Sequence, residues 1–256
     1  MIPQVVLLHG AGADCARLSW KYVLPQLAQR FRVLSPDLPG HGGAPALPEP
    51  TTEAYARWLE RYLEGIWAGQ VALVGLSLGG ALALGYALDH PHRVTRLVLV
   101  ASYGLSRRVP YHGLLRVLLR SPLRGALACP SLRQGFALRV SLRFVVGSGA
   151  AVTRELVEDV RDALRRTDPG LFWRWVATEV RGEGVRTCYL DRLESLQVPV
   201  LLVHGDRDQL VPVRDAQAAA LRIPKAKLVV LRGCGHWPPR ERPAEVVEAL
   251  GRFLSE

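Results

Sequence analysis

Lysine is scarce in this sequence, with three residues in 256, so arginine carries a formal net charge of +10. A basic surface attracts anions and raises nucleic acid as a partner. The chain has no zinc-finger spacing, no aromatic RNA-recognition motif and no lysine-rich tail, so nucleic acid is not expected. Cysteine is sparse and dispersed. Cys15, Cys129, Cys188 and Cys234 form no C-x-x-C pair and no cluster with histidine, so neither a disulfide framework nor a zinc site is indicated. No metal and no cofactor is expected. No apolar run reaches the roughly 18 residues that a bilayer span needs. The start, MIPQVVLLHG, has neither the basic stretch nor the small-residue cleavage site of a secretory signal. The expectation is a cytoplasmic protein acting on a small molecule, as a monomer or homodimer. Acid is missing altogether from residues 103–150, where eight arginines stand (107, 108, 116, 120, 124, 133, 139 and 143).

Across the rest of the chain, short β-branched runs alternate with longer amphipathic stretches, the pattern of an α/β protein with a parallel sheet. Strands are predicted at 4–8, 31–35, 71–75, 96–101, 199–204 and 227–231. Near-continuous apolar runs such as VLLVH imply a doubly wound sheet, covered on both faces. In TTEAYARWLERYLEGIW, helical spacing puts Tyr55, Trp58, Leu59, Tyr62 and Ile66 on one face, with Thr51 or Thr52 as N-cap. Between 103 and 186 the alternation stops, and arginine-spotted helical segments follow one another without a convincing strand. This divides the chain into an α/β core, 1–102 and 187–256, and a helical lid, 103–186.

The chemistry starts at Ser77. The strand VALVG precedes it and the helix GGALALGYALDH follows, so GLSLG sits in the strand–turn–helix setting of a nucleophile elbow. Flanking Gly75 and Gly79 remove the Cβ atoms that such a strained turn cannot hold. Serine needs a base. Of seven histidines, His9 and His204 each close a strand before glycine, where structural roles are expected. His41, His90, His92 and His112 fall in turns or in the lid. His236, in RGCGHWPPRERP after the last strand, has glycines that leave its ring room to reach Ser77. An acid must orient that ring. VLLVHGDRDQLVP offers Asp206 and Asp208; Asp206 follows the glycine directly and suits a turn cap, so Asp208 is preferred. The N–H of Leu78, directly after Ser77, and that of Ala11, in HGAG after the first strand, are the expected oxyanion donors.

HGAG, SPDLPGHGG, GLSLGG, HGDRDQLVP and GHWPPRERP, in this order, resemble the α/β-hydrolase superfamily over the core. The resemblance implies Ser77 as nucleophile, Asp208 as acid, His236 as base, and Ala11 and Leu78 as oxyanion donors. It also disfavours the epoxide hydrolases and haloalkane dehalogenases of this fold, which use aspartate where Ser77 stands. Members of the superfamily usually open with two strands before the H-G motif, whereas this chain begins almost at it. A six-stranded, all-parallel sheet of order 2-1-3-4-5-6 is therefore expected, in which the edge strand near 31–35 must be covered or else invites pairing with another chain.

The substrate is less legible. Leu114, Leu115, Leu118, Phe136, Phe144, Phe172, Trp173 and Trp175 are candidates for an apolar acyl pocket. Gly10 and Trp237, next to the oxyanion turn and the histidine, join the substrate-binding candidates. Three roles are open to the arginines, with Arg116 and Arg120 foremost: receiving an anionic group on the substrate, facing solvent, or resting YHGLLRVLLRSPLR on an anionic membrane. The leading expectation is a serine hydrolase of small to medium carboxylic esters or lactones, working through an acyl-enzyme. The alternatives are a C–C bond hydrolase of diketone-like acids, where asparagine often precedes the nucleophile in place of Leu76, a thioesterase on an anionic acyl carrier, or a non-turnover ligand receptor on the same fold.

Overall fold

The computed structural model describes residues 4–66, 69–121, 135–168 and 170–256. Six parallel strands form the central sheet: β1 (Gln4–Leu8), β2 (Arg32–Leu34), β3 (Val71–Leu76), β4 (Val94–Val100), β7 (Val200–Gly205) and β8 (Ala226–Leu231). Their order is β2-β1-β3-β4-β7-β8, the expected arrangement counted over the six strands of the sheet. Side chains of successive residues leave opposite faces. Val5, Leu7, Val74, Val98, Val100, Leu201 and Val203 accordingly enter one core cluster. Val6, Leu8, Leu73, Leu97, Leu99, Val200 and Leu202 enter the other. Both faces are apolar because both are covered. At one edge β2 is three residues long and pairs with β1.

Short helices α1 (Ala16–Ser19) and α2 (Leu24–Leu27) follow β1, and α3 (Thr52–Ile66) precedes β3. Thr51 caps α3, its hydroxyl accepting from the Ala54 N–H at 3.1 Å. The buried stripe of α3 is Thr52, Tyr55, Leu59 and Leu63. This is rotated from the predicted face: Trp58 and Tyr62 lie half-buried and stack on each other, 5.4 Å between centroids. Helix α4 (Leu78–Asp89) is buried from Leu78 to Ala87, which explains a sequence apolar all round rather than on one stripe.

Between β4 and β7 lie α5 (His112–Arg120), α6 (Gly135–Val145), α7 (Arg154–Arg165) and α8 (Leu171–Glu179). One expectation fails here: the stretch holds a two-residue antiparallel ribbon, β5 (Val180–Arg181) with β6 (Gly184–Val185). Its strands are too short to show alternation, and Gly182, at φ 33°, turns them back. The chain closes with α9 (Val213–Arg222), α10 (Pro238–Glu241) and α11 (Pro243–Ser255). Among the described residues no helix is long and apolar enough to cross a membrane. Cys129, Arg124 and Arg133 lie outside the described residues.

Candidate active site

In a parallel sheet the loops beyond the carboxyl ends of the strands gather at one edge. Those after β1, β3, β7 and β8 carry the residues singled out above. Ser77, directly after β3, has φ 51° and ψ −114°, a conformation that costs an ordinary residue about 1–3 kcal/mol. The turn is held from both sides. Ser77 N–H donates to Val100 O at 3.0 Å, while Ser77 O accepts from Tyr103 and Ala81 N–H, each at 3.1 Å. A Cβ on Gly75 would run into the Gly79 carbonyl, and one on Gly79 into the carbonyls of Leu8 and His9. Both glycines are therefore required by backbone packing. Leu78 is the first residue of α4, where N–H groups lack intrahelical acceptors and the dipole favours negative charge.

Asp208, after β7, is 8% exposed, and each of its oxygens has two partners. Oδ1 accepts the N–H groups of Leu210 and Val211, both at 2.9 Å. Oδ2 lies 2.7 Å from His236 Nδ1 and 3.2 Å from His204 Nε2. His204 Nε2 also faces Val211 O at 2.8 Å. With acceptors on both sides, that nitrogen carries the proton; His236 Nδ1, facing the Asp208 carboxylate, is assigned a proton too, which leaves Nε2 as the basic nitrogen. Burial opposes ionisation of Asp208, but the positive field and hydrogen bonds of His236 and His204 hold its carboxyl below the usual carboxylate range. Burial likewise opposes protonation of His236; Asp208, aided by Asp14 and Glu241, outweighs it and raises the imidazole above its ordinary value. Asp206, the rejected acid, accepts the Gly233 N–H at 2.7 Å on the surface.

The turn after β1 contains a group that the sequence reading missed. Asp14, 3% exposed, accepts the N–H groups of Gly10 and Cys15 at 2.8 Å. Ser19 Oγ lies 2.7 and 2.8 Å from its two oxygens. Burial pushes the Asp14 carboxyl up to about 7. Ser19 Oγ in turn accepts from Trp237 Nε1 at 2.8 Å, which ties the first turn to the histidine loop. The acid in HGAGAD was the available signal. Gly10 stands against Ser77: an added Cβ would come within 3.4 Å of the serine Cβ.

The histidine loop is also bonded to the segment between β4 and β7, referred to below as the insertion. His236 N–H donates to Val145 O at 2.7 Å. Glu241 accepts from Gly147 N–H at 2.7 Å and from Gly235 N–H at 3.0 Å. Gly235 meets the insertion backbone so closely that a Cβ there would collide with Gly147 N and Val145 O. Cys234 is fully buried, and burial pushes its thiol well above the ordinary value, as suits a packing residue.

These turns open on a cavity of about 480 Å³. Gly10, Ala11, Ser77, His236 and Trp237 line it from the turns, and Leu138, Leu142, Val160, Phe172, Trp173 and Trp175 from the segment between β4 and β7. Among the described lining residues the ionisable ones are Asp14, Asp168 and His236, with no lysine or arginine. Arg116 and Arg120 are thus not brought to the site; they sit on α5, which has no buried residue. Arg107 and Arg108 pair at the surface with Asp191 and Glu183. Phe136 and Phe144 occupy the outer face of α6, 82% and 53% exposed, and Leu114, Leu115 and Leu118 are likewise absent from the described lining. A helix periodicity reports an apolar face without saying which neighbour it meets. No cluster able to hold a metal ion occurs among the described residues.

The sequence profile of the alpha/beta hydrolase family matches residues 5–249. The chain belongs to this family. A pimeloyl-[acyl-carrier protein] methyl ester esterase of Aromatoleum aromaticum is 32% identical over 258 residues, covering 95% of this hydrolase and 94% of the relative. A 2-hydroxymuconate semialdehyde hydrolase of a Pseudomonas strain is 30% identical over 268 residues, with 98% and 87% covered. Among solved structures, a thermophilic esterase from Thermogutta terrifontis is similar with a TM-score of 0.80 at 26% identity, covering 99% and 89% of the two chains.

Proposed function

We propose that this hydrolase cleaves small to medium carboxylic esters through an acyl-enzyme formed on Ser77. His236 Nε2 takes the proton as Ser77 Oγ adds to the ester carbonyl. The Ala11 and Leu78 N–H groups receive the oxyanion, and collapse expels the alcohol, which takes the proton from His236. Water then repeats the cycle on the acyl-enzyme, releasing the acid and freeing Ser77. The reading requires Ser77 Oγ and His236 Nε2 to close to hydrogen-bond reach in the substrate complex. The insertion 103–186 serves as the lid. The observation that carries the proposal is the buried Asp208–His236 pair opening, beside Ser77, on a cavity walled by leucine, valine and aromatic rings.

The C–C hydrolase reading draws on the Pseudomonas relative. A diketone acid brings a carboxylate, whose burial calls for a cationic partner. The described lining supplies none, and its Asp168 already holds Arg174 at 2.6 Å, so the neutral ester fits better. The test is a panel of p-nitrophenyl esters, lactones, acyl thioesters and diketone acids, with a fluorophosphonate probe. Multiple turnover on neutral esters is expected. Preference for the diketone acids would replace the ester reading, and labelling without turnover would favour a receptor.

A further inference from the structure

Glu179, the last residue of α8, is 2% exposed, yet its hydrogen-bonding partners include no cation. A carboxylate in such a place is costly unless its oxygens are saturated with donors. They are. Oε1 accepts from Thr52 Oγ1 at 2.7 Å and Thr187 Oγ1 at 3.0 Å. Oε2 accepts from Tyr103 OH at 2.9 Å and Thr187 N–H at 3.0 Å. Tyr103 and Thr187 stand where the chain leaves the core for the insertion and where it returns. Thr52 belongs to α3. One carboxylate thus joins both ends of the insertion to a core helix.

The network continues to the cavity. Thr52 has one hydroxyl proton, committed to Glu179, so its lone pairs are left to accept from Trp175 Nε1 at 3.0 Å. The Trp175 ring lines the cavity, packs edge-on against Tyr103 (5.4 Å) and touches Phe172 (6.1 Å). Phe172 covers Gly12 of the first turn. Removing the carboxylate frees the Thr52 hydroxyl to rotate, so its lone pairs are no longer held toward the indole N–H.

We propose that Glu179 is a positioning residue that sets acyl-chain selectivity by holding Trp175, through Thr52, as a fixed wall of the cavity. This rests on the ester-hydrolase reading above. The experiment compares wild type with Thr52→Val, Glu179→Gln and Trp175→Phe, on p-nitrophenyl acetate and octanoate. Thr52→Val deletes the link while leaving the carboxylate three donors; Trp175→Phe deletes the N–H and keeps a ring. All three should raise KM for octanoate about five- to ten-fold, with acetate kcat/KM for Thr52→Val and Glu179→Gln within about three-fold of wild type. The Thr52→Val/Trp175→Phe double variant should add nothing to either single change. Equal losses on both esters, or additive effects, would overturn the proposal and leave Glu179 a structural tie. If Glu179→Gln does not fold, Thr52→Val alone decides. If wild type turns over no ester, the functional reading fails separately. The same variants are then ranked by labelling rates with methyl and octyl fluorophosphonates, and an unchanged octyl-to-methyl ratio would refute the wall.

Discussion

The turn at Ser77 and helix α8 are held by different forces. At Ser77, backbone meets backbone. Gly75 and Gly79 tolerate no Cβ, and Ser77 is fixed by three main-chain hydrogen bonds. Helix α8 buries Leu171, Trp175 and Val176 and is fastened through the side chain of Glu179. The contrast separates what must be invariant for chemistry from what can be altered for selectivity. A turn defined by main-chain sterics has one solution. A wall held by side-chain hydrogen bonds can be retuned by single substitutions without disturbing the turns.

Substitutions on the two sides of this divide should differ in size and in kind. Ser77→Ala should lower kcat by about 10⁴-fold or more while leaving the thermal midpoint in place, since the turn is held by its backbone. Ester assay and a circular dichroism melt check both halves, and more than a few per cent residual activity would remove Ser77 from the mechanism. Asp208→Asn should cost about 10⁴-fold, whereas Asp206→Asn, at a surface turn, should stay within about five-fold; the opposite ranking would identify the wrong acid. The pH profile sharpens this. Hydrolysis needs neutral His236, so kcat/KM rises with pH through the imidazole pKa. Because Asp208 raises that pKa above the ordinary 6.5, the wild-type acid limb should lie above 6.5 and move to lower pH in Asp208→Asn. Stopped assays from pH 5 to 9 would detect a limb that does not move.

At the boundary between the regions, Gly235→Ala should drive the histidine loop from Val145 and Gly147. Overpacking of this kind costs about 1–3 kcal/mol of stability, and kcat should fall about 10- to 100-fold with KM little altered. Activity near wild type would mean that the insertion is not needed to seat His236. The smallest effect belongs to Arg116→Ala and Arg120→Ala on α5. Less than a two-fold change in KM is expected for neutral and anionic esters alike, and a selective rise for anionic ones would return these arginines to the site.

The same divide governed what could be read from the residues alone. Strand order and the elbow were legible because hydrophobic runs, glycines and turn residues act within a few positions. Asp208 and His236 were legible as residues on loops after identifiable strands, although their 2.7 Å contact spans 28 positions. Glu179 was invisible: in LFWRWVATE it reads as the polar end of an amphipathic helix, and its partners lie at 52, 103 and 187. Asp14 was hidden in a motif whose glycines drew attention first. Phe136 and Phe144 misled because exposed and cavity-facing aromatics share one helical spacing. Burial of a polar group against distant donors leaves no periodic trace.

The seating of Gly147 on Gly235 has a bearing on how such molecules diversify. An insertion borrowed from another source would dock only if it also presented a residue without a side chain at that point. Otherwise the imidazole would be displaced along with the graft. Recombination of roofs among related hydrolases should therefore be filtered at one small contact, while the outermost helix drifts freely.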